Sequence, residues 1–130
     1  MNIYYKYIGR KQPIYNSDDI NKIQDINIIR YIRIMNNNLI TFPQEISDVI
    51  GQLDSLQILD MSLNKIVKIS DKIGELNCLK QLILNSNQII KLPDKIGELN
   101  CLKKLISNNI ICSKFTFKII FICLLVMIDN

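Results

Sequence analysis

Apolar positions recur along the middle of the chain with a fixed period. The ten residues that begin at Asp71, DKIGELNCLK, occur again without change from Asp94, 23 positions later. Identity over ten residues is far beyond chance, so the chain contains an internal duplication. A period of about 20 to 50 residues is typical of solenoids and other repeat arrays.

Extending this frame defines a unit in which spaced apolar residues are followed by an asparagine. One copy begins at Leu76, the copy before it begins at Leu53, and an earlier copy begins at Ile26 and carries about four extra residues around 47–50. A fourth copy begins at Leu99 and loses the pattern after Leu105. The clearest copy has its defining residues at Leu76, Leu79, Leu82, Leu84, Asn87, Ile89, Leu92, Pro93, Ile96 and Gly97.

This pattern resembles the leucine-rich-repeat family, L-x-x-L-x-L-x-x-N-x-L, whose unit is about 20 to 29 residues long. The segment L-P-x-x-I-G-x-L at 92–99 resembles the intracellular 23-residue class of Ras-suppressor-like and plant Ras-group-related repeat proteins. The resemblance covers residues 26–106 and implies an α/β solenoid, with short parallel strands on a concave face and irregular or short helical turns on the convex side. We therefore divide the chain into an N-terminal cap (1–25), three complete repeats and one partial repeat (26–111), and a hydrophobic C-terminal tail or cap (112–130).

The spacing of the repeat has a physical meaning. Leu82 and Leu84 are two positions apart, which sends both side chains inward from a short strand, and stacked copies then share one core. A buried asparagine amide must be hydrogen-bonded. The resemblance implies that it bonds the backbone of its own loop and of the next coil, so we expect a ladder of three asparagines: Asn37, Asn64 and Asn87. Pro43 and Pro93 fix the backbone angle at the entry to the convex segment.

The resemblance also implies that outward-pointing strand residues on the concave face contact a partner. Arg33 and Asp60 fall in one column on adjacent strands, so we expect an ion pair between them, and the pair either serves only the fold or also touches a partner. The face mixes aromatic, apolar and polar groups, as protein interfaces do. The expected contact residues are Tyr31, Arg33, Met35, Ile58, Asp60, Ser62, Gln81, Ile83 and Asn85.

Composition narrows the chemistry. The chain has no histidine, which excludes Ser-His-Asp and Cys-His catalysis and every zinc site that needs imidazole. No other acid, base, nucleophile or phosphate loop is assembled, so we expect no enzyme, no cofactor and no metal. The 16 Lys and Arg residues against 12 Asp and Glu give a net charge of +4. Because the aligned lysines at 68 and 91, 72 and 95, and 80 and 103 have acids aligned beside them, we expect a solvated surface and no nucleic-acid partner.

Four cysteines occur, at 78, 101, 112 and 123, and none forms Cys-x-x-Cys. Cys78 and Cys101 are equivalent in the repeat, and coils about 5 Å apart would permit a disulfide between them. The N-terminus lacks the basic-then-apolar order of a secretory signal. We therefore favour free thiols and a cytoplasmic location.

The two ends of the chain leave alternatives open. The N-terminal segment contains four tyrosines, and Ser17 is placed to cap a short helix that runs through Gln24. The segment either covers the edge of the first coil or acts as an aromatic docking peptide. Residues 119–128 are all apolar, but ten helical residues span only about 15 Å of a hydrocarbon layer about 30 Å thick. Residues 110–128 would reach further, but include Lys114 and Lys118. The end is a cap on the last coil, a membrane anchor or a degenerate repeat.

Taken together, these features favour a monomeric, non-catalytic module that binds a protein partner of unknown identity through its concave face. One alternative is a degenerate or truncated repeat fragment without a binding role. The other is an adaptor attached to a membrane through residues 110–128.

Overall fold

A single sheet of short strands organises the described part of the chain. The computed structural model describes residues 3–7, 10–14 and 29–108, and within them six strands lie in the order β2-β1-β3-β4-β5-β6. The first two strands form an antiparallel hairpin, and β1 also pairs antiparallel with β3. The strands are β1 (Ile3–Tyr7), β2 (Arg10–Ile14), β3 (Tyr31–Arg33), β4 (Ile58–Asp60), β5 (Gln81–Ile83) and β6 (Lys104–Ile106).

The four strands β3 to β6 are parallel, and their register follows the sequence repeat. Ile32 pairs with Leu59, Leu59 with Leu82, and Leu82 with Leu105. All four side chains are buried, so successive repeats place the same apolar position at the same depth. A strand of three residues is not stable alone, and each is held by the neighbouring strands of the described sheet. The predicted α/β solenoid with parallel strands is confirmed.

Short helical turns lie between the strands on the convex side. Residues Asp71–Glu75 and Asp94–Glu98 form equivalent 3₁₀ turns. The first repeat is longer there, and it forms a helix α1 (Gln44–Val49) that continues into a 3₁₀ turn, Ile50–Gln52. The extra residues noted in the sequence therefore convert a 3₁₀ turn into an α-helical one.

The residue before each turn has an extended ψ that directs the chain into the turn. Pro43 precedes α1 with φ −58° and ψ 129°, and Pro93 precedes the third 3₁₀ turn with φ −66° and ψ 146°. Proline is suited to this position because its φ is fixed and its missing amide hydrogen costs little there. In the second repeat Ser70 takes this place, and its hydroxyl accepts a hydrogen bond from the backbone N–H of Lys72.

One core runs through the stacked coils. It consists of the repeat's apolar positions, which are almost fully removed from water from Ile29 to Leu105. Isoleucine replaces leucine at Ile29, Ile32 and Ile34, and methionine does so at Met61, and all four are completely buried. Such swaps nearly conserve volume, so the coils pack despite the change of residue type.

Buried asparagines join successive coils. Oδ1 of Asn64 accepts hydrogen bonds from the backbone N–H of Asn37 (2.9 Å) and Leu39 (3.2 Å), and its Nδ2 donates to the carbonyl of Ile34 (2.6 Å), all in the preceding coil. The same Nδ2 donates to the carbonyl of Met61 (3.1 Å) in its own coil. Asn64 therefore satisfies backbone groups that the short strands leave without a partner from the ladder.

Asn87 repeats this arrangement one coil further on. Its Oδ1 accepts from the N–H of Ile66 (3.0 Å), and its Nδ2 donates to the carbonyls of Met61 (2.9 Å) and Leu84 (3.0 Å). The first of the series, Asn37, is half-buried and donates from Nδ2 to the carbonyl of Met35 (2.9 Å). The three predicted residues thus occupy equivalent places in successive coils, but the predicted direction is wrong, because the side chains of Asn64 and Asn87 bond the preceding coil rather than the next one.

The residue before each of these asparagines has a left-handed backbone. Asn36, Leu63 and Ser86 have φ values of 59°, 56° and 54°. This conformation is tolerated well by asparagine but is costly for most other L-residues. Leu63 is 49% exposed, so its side chain gains little burial in return.

Several sequence predictions lie outside the described residues. These are the helix capped by Ser17, the three readings of residues 119–128, and Cys112 and Cys123. The division of the chain at residues 25 and 111 stays a prediction. Across the described residues, no helix is long and apolar enough to cross a membrane.

Candidate interaction surface

The outward side of β3 to β6 forms a surface built from equivalent positions, which we call the sheet face. Across one row of the register lie Tyr31, Ile58, Gln81 and Lys104, and across the next lie Arg33, Asp60, Ile83 and Ile106. The chain leaving the first three strands adds Met35, Ser62 and Asn85. Lys104 is exposed, Asp60 and Ser62 are buried, and the others are half-buried.

A buried carboxylate lies at the centre of this face. The ion pair predicted between Arg33 and Asp60 is present, with Nε of the arginine 3.2 Å from Oδ2 of the aspartate. The other oxygen, Oδ1, accepts hydrogen bonds from the backbone N–H (3.1 Å) and the hydroxyl (2.6 Å) of Ser62. Both oxygens of Asp60 are therefore engaged, as a buried charge requires.

These contacts leave little exposed surface on two of the expected contact residues. Asp60 and Ser62 were expected among the residues that face a partner, but they are only 5% and 8% exposed. Strand alternation does turn Asp60 outward, but Arg33 and Ser62 then cover it. Both residues therefore support Arg33 and offer almost no surface of their own.

Tyr31 completes this group. The guanidinium carbon of Arg33 lies 5.4 Å from the centre of the Tyr31 ring, within the range of a cation–π contact. Partial burial raises the pKa of the Tyr31 phenol from its ordinary value of 10.0; Arg33 opposes this rise, and the charge of Asp60 adds a smaller one. The aromatic ring and the buried carboxylate thus hold the guanidinium from two sides.

Apolar side chains occupy most of the remaining sheet face. Met35, Ile58, Ile83 and Ile106 are half-buried, so part of each is available to a partner. Asn85 lies beside them, and its Oδ1 is buried with no hydrogen-bond partner among the described residues. An unpaired buried acceptor costs free energy, so this side-chain oxygen adds no hydrogen bond to the fold.

Basic residues border this face at the position immediately before each strand. Arg30, Lys80 and Lys103 are exposed there, and Gln57 fills the equivalent place in the second repeat. Nζ of Lys80 donates to Oε1 of Gln57 (3.2 Å). We call Arg30, Lys80 and Lys103 the basic rim.

The sequence alone missed this rim. It grouped Lys80 and Lys103 with acids that align in the repeat, whereas the structure places those acids in the 3₁₀ turns, Asp71–Glu75 and Asp94–Glu98, apart from the strands. It also omitted Lys104 and Ile106, because the fourth copy fades there. The offset of 23 from Gln81 and Ile83 would have found both.

A second surface lies between the asparagine ladder and the 3₁₀ turns. Three equivalent apolar residues are exposed on it, Ile40 (63%), Val67 (45%) and Ile90 (76%). The segments of the second and third repeats there line an open groove of about 540 Å³, in which Lys68 and Lys91 lie beside Val67 and Ile90.

Metal-ligating clusters and reactive thiols are the groups that could indicate a chemical role in residues 29–108. No cluster of three or more metal-ligating side chains occurs among the residues that the structure describes. Cys78 and Cys101 are both exposed free thiols.

Stacked parallel strands, buried asparagines that bridge the coils, and helical turns on the opposite side define a leucine-rich-repeat solenoid. The comparison with protein families agrees, since the model of a leucine-rich repeat region matches residues 10–120. The chain belongs to the leucine-rich-repeat family.

A solved leucine-rich-repeat protein of Leptospira interrogans is similar to it, at 38% identity and a TM-score of 0.50. The match covers 58% of this chain and 19% of that protein, so the matched segment spans less than a fifth of that protein's length. No curated protein matches the chain at a significant level.

Proposed function

We propose that this chain is a non-catalytic interaction module that binds a protein partner on its sheet face. The observation that carries the proposal is the contrast between the two sides of the strands. Inward positions are uniformly apolar, whereas outward positions combine an aromatic ring, exposed parts of isoleucines and a held arginine. Such a mixture is typical of the centre of a protein interface, and members of the family generally bind proteins.

Two finer features belong to this proposal. The 23-residue unit supports membership of the intracellular class that includes Ras-suppressor-like repeat proteins. The free thiols of Cys78 and Cys101 are in keeping with a reducing, cytoplasmic location. With four described parallel strands the face is narrow, so we expect modest affinity.

Affinity capture from the native cell, followed by mass spectrometry, tests the proposal. Ile58→Lys and Ile83→Lys place a charge on the sheet face without touching the buried core, and each should remove the captured partner. Asp60 is left intact, since replacing a buried, hydrogen-bonded carboxylate would disturb the fold as well as the surface.

Ile90→Lys is the matched control, because Ile90 is 76% exposed and lies in the groove rather than on the sheet face. Circular dichroism should be unchanged in all three variants. A partner that is retained by the Ile58 and Ile83 variants but lost with Ile90→Lys would move the binding site to the groove.

A further inference from the structure

The guanidinium of Arg33 is held in place with most of its donors still available. Nε bonds to Asp60, and the ring of Tyr31 lies against the group. A guanidinium has five N–H donors, so four remain on the two terminal nitrogens. The Tyr31 side chain shares a hydrogen bond with the guanidinium, and the Arg33 side chain is 36% exposed, so part of the fork is open to a partner. A positioned fork of this kind fits a carboxylate in a bidentate manner.

Basic residues are concentrated around this arginine. The sheet face and the basic rim carry five cations, Arg30, Arg33, Lys80, Lys103 and Lys104, against one buried carboxylate, Asp60. The rest of residues 29–108 carries five basic and seven acidic residues. Within the repeats, this surface is therefore the basic one. Such a surface attracts an acidic partner and repels a basic one.

Apolar side chains lie at a defined distance from the arginine. Ile83 occupies the same row of the register, two strands away. Strands are about 4.8 Å apart, so Ile83 lies about 10 Å from Arg33 across the sheet, and Ile106 follows one strand later. An extended segment advances about 3.3 Å per residue, which is about three residues over that distance.

We infer that the sheet face binds an acidic segment of a partner protein, with an Asp or Glu carboxylate on the Arg33 guanidinium and an apolar side chain a few residues away on Ile83 and Ile106. This inference rests on the proposed function and adds the chemistry of the partner. A protein segment fits better than a nucleic acid, because the face offers isoleucines where base stacking needs aromatic rings. Tyr31 is the one aromatic residue of strands β3 to β6, and that ring already contacts Arg33.

Two phage-displayed decapeptide libraries test the inference on the immobilised full chain. In both libraries the variable positions contain Ile, Leu, Phe, Ser or Gly. The central position is fixed, as Glu in one library and as Gln in the other. At 0.15 M salt, recovery from the Glu library should exceed that from the Gln library by about tenfold, the gain typical of one charge-assisted pair. The ratio of Glu-library recovery to Gln-library recovery should fall at 1 M salt, because exposed charges are then screened.

Variants of the pair identify the residue responsible. Arg33→Gln should bring the ratio to about one, and Arg33→Lys should keep part of it. Because Arg33→Gln leaves Asp60 buried without its cation, the double variant Arg33→Gln/Asp60→Asn provides a neutral pair of similar shape, and it should also give a ratio of about one. Lys91→Gln removes an exposed cation away from the sheet face and should leave the ratio unchanged.

The outcomes separate this inference from the proposed function. Equal recovery of both libraries, lost in Ile83→Lys, would refute the acidic preference and still support binding at the sheet face. Recovery of neither library above phage without a displayed peptide would contradict both. A single-stranded uridine 20-mer that binds more tightly than the best acidic peptide would show that the partner class is wrong.

Discussion

Asn64→Leu is the sharpest test of how the coils are joined. The substitution removes the acceptor for the backbone N–H groups of Asn37 and Leu39 and the donor to the carbonyl of Ile34. The carbonyl of Met61 keeps the bond from Asn87. At a net value of about 1 kcal/mol for each of three hydrogen bonds, the loss is about 3 kcal/mol. The burial of the leucine side chain offsets part of this loss, so we expect the free energy of unfolding to fall by about 2–3 kcal/mol.

Asn85→Leu is the matched control for this prediction. It is the same substitution at a half-buried asparagine whose Oδ1 has no partner among the described residues. We expect its free energy of unfolding to change by less than about 0.5 kcal/mol, or to rise, because no hydrogen bond of that atom is lost.

Urea unfolding followed by far-UV circular dichroism measures both variants. The midpoint should shift strongly for Asn64→Leu and little for Asn85→Leu, with the slope m unchanged. If the two variants lost equal stability, the cost would reflect the shape of leucine rather than the hydrogen bonds, and the role assigned to the asparagine ladder would be refuted.

Three further substitutions test the backbone and the charge around the sheet face. Leu63→Asn should raise the free energy of unfolding, measured in urea, by about 0.5–1 kcal/mol, because asparagine tolerates the left-handed φ of 56° better than leucine. The control Leu63→Lys keeps the backbone strain and should not raise the free energy of unfolding. Gly74→Ala should lower the free energy of unfolding by about 1–3 kcal/mol, since the added Cβ would lie 2.8 Å from the carbonyl oxygen of Lys95. In the control Gly51→Ala, the Cβ meets only a flexible carboxylate at 3.2 Å, so the free energy of unfolding should hardly change. Burial raises the pKa of the Tyr31 phenol above its ordinary value of 10.0, so its contribution to stability is lost as the pH rises through that raised pKa. Tyr31→Phe should therefore flatten the fall in the urea midpoint above pH 10, and an equal fall in both proteins would contradict this.

Much of the fold follows from the repeat alone, because the period fixes depth as well as order. A residue such as Leu82 is equivalent to Leu59 and Leu105, so their pairing in the sheet could be predicted by counting. The asparagine ladder came from the family resemblance, and the physical reason for it is that a buried amide needs hydrogen-bond partners.

The fate of Asp60 could not be predicted in the same way. Its outward orientation follows from alternation, but its burial depends on how the longer side chain of Arg33 and the hydroxyl of Ser62 fold over it. That is a property of three residues from two repeats, and a one-dimensional pattern does not contain it. The left-handed backbone of Leu63 was hidden for a similar reason, since leucine carries no sequence signal for that conformation.

The end of the duplicated segment shows how the repeat separates folding from binding. Residues 94–103 copy 71–80 without change and stop immediately before β6. The next position then differs, with Lys104 where the earlier copy has Gln81, while the inward neighbour stays leucine at 82 and 105. The solenoid restricts the inward position because it must fill the core, but it places no such demand on the outward one. A duplication can therefore extend the core while it adds a new charge to the sheet face, and this change makes that face more basic next to Lys103.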